Sequence, residues 1–166
     1  INSFPPLVNE RCKILLLGSM PGEESLRKQE YYGNPRNQFW PIMIRLLSGS
    51  HQLNYNEKLD LLIKNKIALW DVIDNCMREG SLDSNIKEEK LNDFPSFFEE
   101  YPHIRNIFFN GKKAFQSFHR ISGLSRFNLS CEILPSTSPA YTISIEKKIE
   151  EWKKIKIPLK KRKQSL

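Results

Sequence analysis

The sequence predicts an α/β fold: a three-layer α/β/α sandwich with a central four-stranded parallel sheet. Three observations predict it. Four short apolar runs recur along the chain, their apolarity is continuous rather than alternating, and the intervals between them leave room for helices. Strands that are apolar at every position are covered on both faces, as in a parallel sheet between helical layers. Alternation of strand and helix with right-handed crossovers gives the rest of the architecture.

The four runs are residues 13–17 (KILLL), 67–70 (IALW), 104–109 (IRNIFF) and 132–134 (EIL). After the first, Phe39, Trp40, Met43, Leu46 and Leu47 recur at helical spacing, with Pro41 tolerable in a first turn. Leu59, Leu62 and Ile63 mark a second helix, and GKKAFQSFH opens a third directly behind Phe109. Ile145, Ile149, Trp152 and Ile155 form the stripe of an amphipathic helix, with Ser144 as its cap. No repeat or linker interrupts this pattern. Residues 1–158 therefore read as one domain, and 159–166 as a basic, flexible tail.

A chain of 166 residues can bury a substantial core. It holds no run of about 18 apolar residues, so no membrane span is expected. INSFPPLVNE has neither the charged start nor the apolar stretch of a signal peptide, and because Ile rather than Met stands first, preceding residues are expected. Lysine and arginine total 26 against 19 acids, a formal charge of +7, which favours a polyanionic partner and nucleic acid foremost. The densest basic run, KIPLKKRKQSL, suits either a phosphate-contacting arm or a solubilising end. Cys12, Cys76 and Cys131 are odd in number and form no CxxC, as expected of reduced thiols in a cytoplasmic protein. Three thiols cannot hold a four-thiolate iron–sulfur cluster, and His51, His103 and His119 have no metal-ligand spacing. No metal or other cofactor is expected, and the chain reads as a monomer.

In an open parallel sheet, ligands sit beyond the carboxyl ends of the strands. Four segments lie there. Gly18-Ser19-Met20-Pro21-Gly22 is a sharp turn able to bring backbone amides close to a ligand, but it is neither a P-loop nor GxGxxG. Further along, YYGNPRNQFW (31–40) sets flat aromatics beside amides, a combination suited to a planar heterocycle stacked on one face and hydrogen-bonded at its edge. Phe39 and Trp40 read as core; Tyr32 and Asn37 read as site. Asp71 closes IALWD as the one well-placed carboxylate, or as a loop cap. Asn110-Gly111-Lys112-Lys113 puts an amide and two cations at a helix start, while Leu134-Pro135-Ser136-Thr137-Ser138-Pro139-Ala140-Tyr141 is a rigid, hydroxyl-rich loop able to donate to phosphates. No Ser-His-Asp arrangement, HExxH or carboxylate pair stands at these ends.

GSMPG, YYGNPRNQFW and LPSTSPA in this order, supported by LWDVIDNCMREGSLDSNI and FFNGKKAF, resemble the uracil-DNA glycosylase superfamily. The resemblance is greatest to its hypoxanthine-DNA (deoxyinosine) glycosylase branch and runs from about Lys13 to Trp152. It implies a four-stranded parallel sheet between helices, and an enzyme that flips a base from DNA and hydrolyses its N-glycosidic bond. Many relatives carry a water-positioning Asp or Asn at the third place of the first motif. Met20 stands there, which matches the hypoxanthine branch, whose catalytic asparagine lies farther along the loop at the position of Asn37. The resemblance makes Tyr32 the ring that stacks on the base, with Ser19, Met20, Asp71 and Asn110 around it. Ser136, Thr137, Ser138 and Pro139 would grip DNA, with Lys112 nearby. Tyr141 stands where that branch usually has Asn and is sized to wedge into the duplex gap.

These residues imply a cofactor-free, monofunctional glycosylase acting on deaminated bases, since no lysine stands evidently placed for a Schiff base. Three other readings stay open: a uracil-DNA glycosylase, a catalytically silent nucleic-acid-binding protein of the same fold, and a nucleotide-binding domain using GSMPG for phosphates. Loss of turnover with retained DNA binding in an Asn37 variant separates the enzyme from the silent binder.

Overall fold

A computed structural model of the chain describes residues 1–49 and 52–160. In chain order it comprises β1 (Ile14–Gly18), α1 (Glu23–Lys28), α2 (Phe39–Leu47), α3 (Tyr55–Lys64), β2 (Ile67–Asp71), β3 (Ile73–Met77), β4 (Lys87–Leu91), α4 (Phe94–Glu100), β5 (Asn106–Asn110), α5 (Lys112–Phe118), β6 (Ser130–Leu134), α6 (Ile145–Trp152) and α7 (Lys156–Lys160). The main sheet has the order β2-β1-β5-β6 with every pair parallel. The predicted sandwich is therefore the fold of this chain.

Alternation along β1 explains the two layers. Ile14 and Leu16 point into a cluster with Phe39, Ile42 and Met43 of α2 and Ile149 and Trp152 of α6. Leu15 and Leu17 point to the opposite cluster, where Phe94, Phe97 and Phe98 of α4 meet Ala114 and Phe118 of α5. Every residue of β1 and β2 is buried, as continuous apolarity requires. β6 departs from that pattern: one of two edge strands, it leaves four of its five residues exposed, whereas the β2 edge is covered by a bridge from Leu7 to Leu69. Pro41 sits in the first turn of α2, and Ser144 caps α6 by accepting from the Lys147 amide at 3.3 Å.

Two helices and a two-stranded hairpin were not foreseen. α1 follows the first turn, α4 covers the second cluster, and β3 and β4 pair as a separate antiparallel hairpin. IDNCM and KEEKL mix polar residues without clean alternation, and their pairing slips register twice, so periodicity is weak there. Glu89 fastens this hairpin to α5, accepting from Lys113 at 2.7 Å, Ser117 at 2.7 Å and Arg120 at 2.6 Å. Of the tail expected at 159–166, Leu159 and Lys160 close α7, and Leu159 packs on the first cluster; residues 161–166 lie outside the described residues.

β1, β2 and β5 end together with Gly18, Asp71 and Asn110, so their carboxyl ends form one polar edge. Gly18 is required there by space. A β-carbon on it would lie 2.6 Å from Asp71 Oδ1 and 2.8 Å from the Tyr32 hydroxyl. Gly18→Ala is expected to cost about 1–3 kcal/mol in urea unfolding by overpacking and to displace Asp71 or Tyr32. Unchanged stability together with unchanged side-chain positions in a crystal structure of the variant would refute this.

Candidate active site

Beyond the strand ends lies a cleft of about 540 Å3 lined by Ser19, Met20, Tyr32, Asn37, Asp71, Asn110 and the 136–141 loop. Every residue assigned from the sequence to base contact or catalysis is brought into it.

Its inner wall is the 31–37 loop. Tyr31 is tied down on three sides: its carbonyl accepts from Trp40 Nε1 at 2.8 Å, its amide donates to Tyr55 at 2.8 Å, and its hydroxyl donates to the Pro5 carbonyl at 2.7 Å. This anchoring holds the next residue, Tyr32, in the left-handed region at φ 54°. The Tyr32 ring then lies stacked on Phe39, centroids 4.1 Å apart and planes 19° apart. With that face covered by core, the opposite face is the one available to a planar ligand. Asn34-Pro35-Arg36-Asn37 forms a proline turn closed by the Asn37 amide donating to the Asn34 carbonyl at 2.9 Å, which delivers Asn37 to the cleft.

Three loops meet at Thr137. Its hydroxyl accepts from Asn110 Nδ2 at 2.9 Å and donates to Asn37 Oδ1 at 2.8 Å. Its backbone amide donates to Asn110 Oδ1 at 2.9 Å, and the second Asn110 hydrogen goes to the Tyr32 hydroxyl at 3.1 Å. Asn37 Oδ1 also accepts from the Phe39 amide at 2.9 Å. The directions are thereby fixed: Asn37 has its oxygen filled twice, while its Nδ2 has no partner among the described residues. Asn37 therefore offers the cleft a donor.

Two expectations change here. Thr137, expected among the DNA-contacting hydroxyls, is 1% exposed with its hydroxyl committed internally, so it positions other residues. Asn110, expected around the base, spends both side-chain hydrogens within the protein.

Asp71 carries the unusual electrostatics. It is 4% exposed, and its Oδ2 is buried without a hydrogen-bond partner among the described residues. Burial, reinforced by the charge of Asp83 and opposed by Arg78, raises its pKa to about 7. The same burial, with Asp71 adding to it, pushes the Tyr32 hydroxyl well above the usual tyrosine range. Asp83 is itself raised by burial, eased by the hydrogen bond it accepts from Ser19 at 2.6 Å.

Sequence reasoning missed Asp83 and its loop. The loop belongs to the β3–β4 hairpin and is clamped to the first turn: Ser81 accepts from the Glu23 amide at 2.8 Å, and Arg78 donates to the Pro21 carbonyl. Met20 packs with Ile73 and Cys76 of this hairpin. On the opposite rim, Ser136 accepts from the Ser138 amide at 3.2 Å, and Ser138-Pro139-Ala140-Tyr141 makes a second proline turn that leaves Tyr141 46% exposed. Lys112 begins α5, is exposed, and does not line the cleft. Arg36, not singled out in the sequence, does line it. Among the described residues, no group of three His, Cys, Asp or Glu side chains could hold a metal ion, and no helix is long and apolar enough to cross a membrane.

Comparison with known proteins places this arrangement. The uracil DNA glycosylase superfamily model matches residues 5–158. A protein named hypoxanthine DNA glycosylase from Methanosarcina acetivorans is 40% identical over 153 residues, 92% of this chain and 95% of that protein. One of the same name from Methanosarcina barkeri is 38% identical over 152 residues, 90% of this chain and 93% of that protein. The solution NMR structure of a candidate uracil DNA glycosylase from Methanosarcina acetivorans matches with a TM-score of 0.82 at 38% identity, covering 96% of this chain and 98% of that one. With the family model matched over residues 5–158 and relatives about 40% identical over nine-tenths of its length, the chain belongs to the uracil DNA glycosylase superfamily.

Proposed function

We propose that this protein is a DNA glycosylase of base-excision repair that hydrolyses the N-glycosidic bond of deoxyinosine in DNA, releasing hypoxanthine. The observation that carries this reading is the 40% identity, spread over nearly the whole chain, with a protein named hypoxanthine DNA glycosylase. The cleft gives the activity a physical route. A base extruded from the duplex stacks on the free face of Tyr32, whose other face is backed by Phe39. A deaminated, mispaired base costs less to extrude than a paired one.

Cleavage passes through an oxocarbenium-like sugar, so the attacking water needs orientation more than deprotonation. Asn37 supplies the orientation. Its oxygen is held by Thr137 and the Phe39 amide, and its Nδ2 is left to donate to the water's oxygen. Met20, packed against Ile73 and Cys76, has no group to offer the water. The Asp71 carboxylate, which lines the cleft, accepts the N1–H that hypoxanthine carries; adenine has a lone pair at that position and is repelled by the carboxylate. Ser136, Ser138 and the turn ending at Tyr141 hold the DNA backbone beside the cleft. Hydrolysis leaves an abasic site.

The first test uses duplexes carrying a single hypoxanthine, uracil or xanthine, with abasic products cleaved by alkali. Breakage is expected at hypoxanthine. Breakage mainly at uracil would transfer the activity to the alternative suggested by the NMR relative. Asn37→Ala is expected to lower single-turnover excision by about 10^2–10^4-fold while binding of the hypoxanthine duplex persists. Excision by this variant within a few-fold of wild type would remove Asn37 from the reaction.

Thr137→Val keeps the shape but leaves both asparagines short of a partner. We expect it to lose about 1–3 kcal/mol of stability in urea unfolding and to lower excision at least tenfold. Full activity with the stability loss would separate Asn37 placement from this hydroxyl.

Asp71 sets the pH dependence. The ionised carboxylate is the stronger acceptor for N1–H, so kcat/KM is expected to rise with pH through about 7 and then level. Asp71→Asn can still accept N1–H but cannot titrate, so its profile is expected to lose that rise. Stability runs the other way. The unfolded carboxyl ionises near 3.8 and the folded one near 7, so between these values the native state holds the extra proton and stability falls as pH rises. The Asn variant should flatten that fall; an unaltered profile in either measurement would show that another group titrates.

A further inference from the structure

α6 buries a lysine that the reaction described above does not use. Lys148 is 1% exposed, yet among the described residues its ammonium donates to only one acceptor, the Ser138 carbonyl, at 3.3 Å. The ring of Tyr141 lies over it, centroid 5.5 Å from Nζ. Among the described residues it has no carboxylate partner: on the same helix Glu150 pairs with Lys153 and Glu151 with Lys154, and Glu132 of β6 also turns to Lys154. Burial accordingly pulls the Lys148 pKa down. A desolvated ammonium with one neutral acceptor is an unfavourable tenant where methionine or leucine would pack without penalty. Its place is specific. It lies beneath the Ser138–Tyr141 turn, whose residues all line the cleft.

We propose that Lys148 is a covered phosphate-binding cation, taken up by a DNA backbone phosphate beside the extruded nucleotide when Tyr141 turns off its ammonium. This rests on the reading of the cleft as a DNA site. Two of the three ammonium donors are free for that phosphate, and the Ser136 and Ser138 hydroxyls stand on the same loop. Tyr141 has the freedom the step requires, being 46% exposed and held by its backbone, with its amide donating to the Ser138 carbonyl at 3.0 Å. The Ser138 carbonyl therefore marks the turn from both sides: the Tyr141 amide fixes its fold, and the Lys148 ammonium waits behind it. In this scheme the cation is hidden from bulk anions in the free protein and becomes available only as the tyrosine moves toward DNA.

The test reads phosphate contact rather than stability. Binding of a labelled duplex carrying a tetrahydrofuran abasic analogue, which no glycosylase can cleave, is followed by fluorescence anisotropy over a KCl series. The slope of log K against log [KCl] is expected to shrink by about 0.9 in Lys148→Met and to be retained in Lys148→Arg. An unchanged slope in the Met variant would make Lys148 a prop for the loop and overturn the proposal.

A second measurement covers the case in which the Met variant does not fold. Amine acetylation with peptide mass mapping is expected to spare Lys148 in the free wild type, to modify it in Tyr141→Ala, and to be blocked there by the duplex. Modification of free wild type at the rate of exposed Lys112, or no protection by DNA, would overturn it. So would a borohydride-trapped adduct between Lys148 and the abasic product, which would make it a nucleophile. Excision of hypoxanthine is assayed alongside. An inactive wild type whose slope still depends on Lys148 would remove the proposed activity and leave this contact, whereas an active one with an unchanged slope would remove only the contact.

Discussion

One buried hydroxyl holds the cleft in register. Parallel strands deliver their carboxyl ends to a single edge, but that alone leaves loops free to sample many arrangements. Thr137 removes this freedom, because a hydroxyl can accept from one amide and donate to another at the same point. It joins Asn110, 27 residues away, to Asn37, 100 residues away, and so ties the ends of β5 and β6 to the loop after β1. Valine has the shape without either bond. The chain of donors also has a sense. Asn110 spends both hydrogens, Thr137 passes one on, and Asn37 is left with its oxygen filled and its NH2 facing outward. With Thr137 and Asn110 paired throughout, the buried part of this network fixes one arrangement.

Around that network the protein gives up stability. Tyr32 is held in the left-handed region, at a cost of about 1–2 kcal/mol for a residue with a β-carbon. Asp71 carries a buried oxygen with no partner, and Lys148 a buried ammonium with one. All three lie at the cleft or directly behind it. The anchors explain how the unfavourable groups persist. Tyr31 is bound at its carbonyl, amide and hydroxyl, so its neighbour cannot relax. Asp71 ends a strand whose every residue is buried, and its own carbonyl accepts from Asn92 at 2.8 Å. Rigid supports allow the site to keep polar atoms that water would otherwise satisfy.

How much of this could be read in the sequence depends on where free energy is local. β1, β2 and β5 were legible because a strand covered on both faces must be apolar where it is covered, and ILLL, IALW and IFF are. β6 was legible only at its inner end: on an exposed edge the solvent places no demand on Ser130 or Cys131. The β3–β4 hairpin was missed because Glu89 and its three donors hold it in place, and such long-range contacts leave no periodic trace. The same division applies to the cleft. Tyr32, Asn37, Asp71 and Asn110 stand at strand ends or in unusual local sequence, and were found. Asp83 reaches the cleft through the hairpin and was not. Thr137 looked like one more hydroxyl in a hydroxyl-rich loop; only the third dimension shows that it points inward while Ser136 and Ser138 stay near the surface.

Met20 shows how packing constrains chemistry at such a site. The third position of a turn that leaves a buried strand is the natural place to hang a polar group over the cleft. Here the hairpin leans on that turn, with Arg78 and Ser81 bonding its backbone, and Met20 completes a small apolar cluster with Ile73 and Cys76. An aspartate there would lie in that cluster and beside Asp71, whose charge already meets resistance from burial and from Asp83. A third carboxyl would raise that resistance further. An amide on the next loop avoids the conflict: Asn37 is neutral, Thr137 reaches it, and the proline turn at Pro35 delivers it to the opposite wall of the cleft. For the water-orienting role proposed for Asn37, a place on the loop rather than the turn is thus the arrangement least opposed by the charges already buried here.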